Sequence, residues 1–170
     1  MRFGIIFALL VELVFGSVVF GAGGDLGGAG QDGSAGNPYL IEDFADFEVF
    51  RGDPNYWAAG VHTQLDCDID LDPNLAGREV YGRAVIAADV NNMNEWFDGV
   101  VFEGVFDGGG HIISNMRISA EGDYNYFLGL FGQIEGAGCL IKNVGLENIS
   151  INSLNETYYV GGICGSNGDI

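Results

Sequence analysis

The sequence predicts an all-β protein, a right-handed parallel β-helix (solenoid) with a short N-terminal capping helix, and three observations carry that expectation. Apolar units bounded by glycine recur at intervals of roughly 25–33 residues, within the range of solenoid periods. The chain holds 29 glycines but only 3 prolines, and without a Gly-X-Y period these glycines mark tight turns rather than collagen. The units contain no run of helical spacing, so helical repeats are excluded. Strands this short cannot bury their apolar faces alone and must stack on the next unit.

The elements follow in order. Arg2 precedes the apolar run Phe3 to Val11, which continues past Glu12 to Phe15 and gives way to small residues. One positive charge, a short apolar core and a small-residue exit predict a signal peptide over residues 1–21, cleaved after Gly21. The run is too short and too interrupted for a spanning helix. Residues 22–36 are almost all Gly, Ala, Asp and Ser, the composition of a flexible linker. The repeats are expected over residues 37–170. Ile41, Phe44, Phe47 and Phe50 recur every third position, which predicts a short amphipathic helix over Asp43–Arg51, with Asp43 as N-cap and Gly52 as its stop. Such a helix is what the open first coil of a repeat array needs. Between His62 and Asp72 the pattern alternates: Leu65, Cys67, Ile69 and Leu71 fall on one face, Asp66, Asp68, Asp70 and Asp72 on the other. That is one strand with a buried and a solvated side. Pro73 to Gly99 is rich in Asn and Asp and reads as a long loop or a decorated first coil, with a short strand at Ala84–Ala87.

Three alignments define the repeat. Gly129-Leu130-Phe131-Gly132 recurs 33 residues later as Gly162-Ile163-Cys164-Gly165, with Tyr126 matching Tyr159 at the same offset. Gly104-Val105-Phe106-Asp107 is a looser copy of the first block, 25 residues earlier. Ile113-Ser114-Asn115 matches Ile141-Lys142-Asn143 at an offset of 28. Asn115 and Asn143 are therefore expected at equivalent bends, bonding their own backbone or stacking as a ladder.

The succession Asn37 to Ile41, then Asp68 to Leu71, then Phe102 to Asn115, resembles the GLUG-motif repeat proteins, bacterial secreted and cell-surface β-helices. Gly129 to Gly132 and Gly161 to Gly165 look like the motif that names them. Gly109 stands where Asn is common, and Cys164 where an aliphatic residue is commoner. The resemblance implies a repeat scaffold found in adhesin-like proteins and outside the catalytic domain of secreted peptidases; it implies no catalytic residues. Family members continue past a point like Asn167–Ile170, so the chain is expected to be a fragment of a longer protein.

Composition narrows the function classes. There are 24 acidic residues against 6 basic ones, a net charge of −18. Without a basic patch to neutralise phosphates, nucleic acid is not an expected partner. Three cysteines, Cys67, Cys139 and Cys164, lie among apolar neighbours; they are either small core residues or, for Cys139 and Cys164 on neighbouring coils, a disulfide. No C-x-x-C occurs and His62 and His111 are not spaced for zinc. Asp66, Asp68, Asp70 and Asp72 offer oxygens for calcium, yet same-face neighbours about 7 Å apart cannot all share one ion. Asp66, Asp68, Asp70, Glu103 and Asp107 can be nominated for polysaccharide chemistry, with Arg117 and Lys142 as the only bases in the repeats and His111 in a glycine turn. H-E-x-x-H and Ser-His-Asp signatures are absent. No catalytic, cofactor-binding or metal residue is assigned. The expected function is a secreted or cell-surface scaffold or interaction module whose partner is an extracellular glycan or protein. A passive stalk and a polysaccharide-active enzyme are the alternatives.

Overall fold

The computed structural model describes Leu26, Gly28 and residues 30–91, 93–121, 125–153 and 159–168. The expected signal peptide and the last two residues lie outside them. Among the described residues the structure is mostly strand with one α-helix, and its strands pair in small parallel sheets.

Strand β1 (Tyr39–Ile41) is followed by α1 (Phe44–Gly52), a 3-10 turn (Pro54–Trp57), β2 (His62–Leu65) and β3 (Ile69–Asp70). After a long excursion come β4 (Val105–Asp107), β5 (Ile112–Ser114), β6 (Arg117–Ala120), β7 (Phe127–Leu128) and β8 (Phe131–Ile134). The chain then passes through β9 (Leu140–Lys142), β10 (Gly145–Glu147), β11 (Ser150–Ser153), β12 (Tyr159–Val160) and β13 (Cys164–Asn167). One sheet runs β1-β2-β4-β9 and another β10-β5-β3; β11-β6, β12-β7 and β13-β8 form two-stranded sheets. Every pairing between these strands is parallel.

The helix forms where it was expected. The Asp43 carboxylate accepts from the Asp46 N–H at 3.0 Å, satisfying one of the unpaired amides of the first turn. Phe47 and Phe50 are fully buried, and the Phe50 ring stacks on Phe106 at 5.4 Å. The stop is one residue later than predicted: Gly52 is the last helical residue and Asp53 the C-cap, at φ −121°, ψ 107°. Pro54 forces this, because a residue before proline is driven out of the helical region.

The predicted single strand over 62–72 is two strands in two sheets. The chain turns at Asp66-Cys67-Asp68 between β2 and β3. Its alternation holds across that corner, with Leu65, Ile69 and Leu71 buried and Cys67 partly buried. In the segment read as a linker, residues 31–36 are tied to the body. The Gln31 side chain accepts from the Leu40 N–H at 2.9 Å, and the Gly33 carbonyl accepts from the His62 N–H at 2.8 Å. Farther along, Ala84, Val85, Ile86 and Ala87 are all buried, but only Ile86 bridges a strand residue, Phe131.

Register confirms one repeat alignment and replaces two. Phe131 lies opposite Cys164, the 33-residue offset of the paired glycine blocks. Phe127 lies opposite Tyr159, one residue out of step with that offset. Ile113, however, faces Leu146 on one side and Ile69 on the other, while Ile141 faces Phe106. The 28-residue match therefore joins strands of different sheets, and so does the 25-residue match, since Val105 pairs with Leu140. In the core Phe102 and Phe106 lie 4.9 and 5.5 Å from Phe131 between ring centroids, and Phe50 packs 6.3 Å from Phe102 and 5.4 Å from Phe106.

All three cysteines are free thiols. Cys139 Sγ donates to the Phe102 carbonyl at 3.3 Å and Cys164 Sγ to the Ser166 carbonyl at 2.8 Å. Burial raises the pKa of each thiol, which keeps them in the unreactive protonated form at neutral pH.

Candidate functional site

The residues nominated from sequence do not converge on one place. Asp68 Oδ1 accepts from the Ile112 N–H at 2.9 Å and lies 3.1 Å from His111 Nδ1; these bonds, the backbone one first, hold the Asp68 carboxyl below its usual pKa. Asp70 Oδ1 accepts from Asn115 Nδ2 at 2.8 Å and from the Asp72 N–H at 2.9 Å, with the same effect on its pKa. Asp72 accepts from Asn74. The carboxylates of Asp68, Asp70 and Asp72 are thus each engaged by hydrogen bonds within the fold, while Asp66 is exposed and bonds through its N–H to the Ile41 carbonyl. Asp107 and Lys142 do meet, in a 3.0 Å ion pair. Burial pushes the Asp107 carboxyl up, and the Gly109 N–H, Lys142 and Asn143 together outweigh it and leave it lowered. Arg117 donates to the Asn148 carbonyl at 2.7 Å, and the Glu103 N–H to the Trp57 carbonyl at 2.8 Å.

A different site is built by the loop that the sequence left weakly patterned. Between Asp89 and Gly99 the side chains of Asn and Asp fold the backbone on itself. Asp89 Oδ1 accepts from the N–H groups of Asn91 at 3.2 Å and Asp98 at 3.1 Å. Asn91 Oδ1 accepts from the Met93 N–H, and Asn94 Oδ1 from the Trp96 N–H at 2.8 Å. Asp98 Oδ2 gathers both side-chain amides, Asn91 Nδ2 and Asn94 Nδ2, each at 2.7 Å. These are Asx-type turns, in which short polar side chains stand in for a backbone partner. At the base of the loop Gly99 comes so close to Ala88 that a β-carbon would sit 2.1 Å from its carbonyl oxygen.

This framework directs aromatic rings both ways. Phe97 turns inward and meets Phe127 edge-on at 5.2 Å. Trp96 turns outward and is 77% exposed. Across the surface the Tyr159 ring stacks on Phe127 at 5.0 Å and 12°, yet the residue stays 47% exposed. Trp96, Tyr126, Tyr159 and the Glu95 carboxylate line a cleft of about 500 Å³. Beside the loop lies a second cleft of about 530 Å³ that includes Arg51, Trp57, Tyr81 and Arg83. There Arg51 is engaged by Glu48 at 2.6 Å and Glu79 at 3.1 Å, and burial pushes the Tyr81 phenol up to about 12. Sequence reasoning matched Tyr126 with Tyr159 as repeat partners but did not join either to Trp96. The available signal was the run of Met93, Trp96 and Phe97 within a loop rich in Asn and Asp.

Two known proteins are similar over most of the chain. A protein described as a Gly-rich membrane protein, from Evansella cellulosilytica, is 36% identical over 143 residues, covering 82% of this chain and 14% of its own length. Halomucin of Haloquadratum walsbyi is 33% identical over 139 residues, covering 82% of this chain and 1% of its own length. The chain therefore spans a small part of each relative. No family model matches the chain, and no solved structure does. Among the described residues no helix is long and apolar enough to cross a membrane.

Proposed function

We propose that the chain is a cell-surface or secreted interaction module: a right-handed β-helical scaffold of the GLUG-repeat type that presents the Asp89–Gly99 loop and its aromatic cleft. The observation that carries the reading is the uniform parallel pairing of strands 32–35 residues apart from β4 to β13. That is the spacing expected when successive coils stack and only neighbours touch. In such a stack α1, with Phe47 and Phe50 in the core, is the cap of the first coil. Long relatives of which this chain covers a small part suit a module that serves within larger proteins. An outward Trp96 on a bonded loop is the kind of exposed apolar feature that marks an interaction surface, and the ligand is an extracellular molecule.

Labelling of intact cells that express the full gene, with an antibody against residues 37–168, tests the surface assignment. Label on unpermeabilised cells or in the medium is expected. Label that appears only after permeabilisation overturns it.

A further inference from the structure

We infer that the cleft formed by Glu95, Trp96, Tyr126 and Tyr159 is a receptor for an organic ammonium group, an alkylated or sugar-borne amine. This deepens the interaction-module reading and rests on it only for the ligand being extracellular.

Glu95, Trp96, Tyr126 and Tyr159 line the open cleft of about 500 Å³, in which Trp96 and Tyr159 are the exposed rings and Tyr126 is buried, and no Lys or Arg is among its described lining residues. The faces of Trp and Tyr rings carry negative quadrupole charge and attract a cation placed over them. Tyr159 spends one face on Phe127, and as a half-exposed residue it turns the other outward. Glu95 is solvent-exposed beside Trp96 and supplies a full negative charge at the rim. The surroundings have the same sign, since the chain carries a net charge of −18; the field steers cations toward the surface and anions away.

Two other ligand classes fit worse. A neutral sugar needs several directed hydrogen bonds as well as a stacking ring. Asn91 and Asn94, the nearby loop amides, are not among its described lining residues, and each already donates a side-chain bond to Asp98. A hard metal ion wants six or more oxygens, whereas this wall presents mainly ring carbon. An ammonium with methyl or methylene substituents is large, weakly hydrated and matched to both the rings and the carboxylate.

The test is ligand-observed NMR on the full chain, with choline as the probe. Its neutral carbon isostere, 3,3-dimethylbutan-1-ol, reports on shape alone. Glucosamine and N-acetylglucosamine separate a sugar-borne amine from the neutral sugar. Saturable choline binding is expected, with the isostere at least tenfold weaker. Binding of glucosamine but not N-acetylglucosamine would assign the amine to a sugar. Glu95→Gln, an exposed change that leaves the loop bonds intact, is expected to weaken choline roughly two- to fivefold. Trp96→Ala is expected to weaken it by about tenfold or more. Equal binding of the isostere, binding of the neutral sugar alone, or no choline signal each overturns the inference. None of these outcomes bears on surface labelling, so the inference and the surface assignment fail separately.

Discussion

Asn115 shows how much one residue carries here. It adopts φ 59°, a left-handed conformation that costs most side chains about 1–2 kcal/mol and that asparagine tolerates. Its Nδ2 donates to Asp70 and its Oδ1 accepts from Asn148 Nδ2, so three successive bends are joined by one side chain. The sequence marks Asn115 as a bend residue but pairs it with Asn143. The structure pairs it with Asn148, because Ser114 lies opposite Glu147. Asn143 instead donates to Asp107 at 3.0 Å. Both Asn143 and Asn148 have positive φ, at 53° and 50°, so residue type alone could not choose between them; register did. Asn115→Ala should destabilise by about 2–3 kcal/mol, the sum of the left-handed backbone cost and about 1 kcal/mol of lost hydrogen bonding. Asn115→Gly should recover the backbone part and keep only the second loss. Urea unfolding of both variants checks this; equal losses would mean that the left-handed backbone contributes nothing.

At the scale of elements, α1 and the facing of β2 and β3 were legible because their causes are local: a cap, a three-residue spacing, an alternation. The corner at Asp66-Cys67-Asp68 was not legible, since alternation continues through it and the pattern cannot register a change of sheet. The misaligned repeats have the same origin. Short Gly-apolar and Ile-x-Asn strings serve several bends, while register is decided by which backbones stack. The glycines of the paired blocks show how close these backbones come. A β-carbon on Gly132 would lie 2.4 Å from the Ala87 carbonyl oxygen, and one on Gly165 would lie 2.9 Å from the Gly132 carbonyl oxygen. At these two positions neighbouring backbones approach too closely for any side chain. Gly132→Ala should therefore cost about 1–3 kcal/mol through forced backbone shifts. Gly138→Ala, where nothing lies within 4 Å, should be neutral or stabilise by up to about 1 kcal/mol. A matched pair of thermal melts distinguishes the two, and a neutral Gly132→Ala would show that these backbones are not held at that spacing.

For the molecule as a whole, apolar burial and charge act against each other. The core is tight from Ile41 to Phe131, whereas Ile141, Val144, Leu146, Ile149 and Ile151 are only partly buried. Against that core stands a net charge of −18, whose self-repulsion favours expansion. The ion pairs of lysine and arginine among the described residues centre on Arg51 and Lys142, and partly exposed pairs of this kind contribute at most about 1 kcal/mol each. Salt weakens both effects, but the repulsion involves many more charges. Raising sodium chloride from about 0.1 M to about 1 M shortens the screening length from about 10 Å to about 3 Å, so the thermal midpoint should rise by several degrees. Chloride is the salt of choice because sulfate would also strengthen apolar burial. A midpoint that falls with chloride would mean that the few ion pairs outweigh the repulsion and that the acidic surface carries no stability cost.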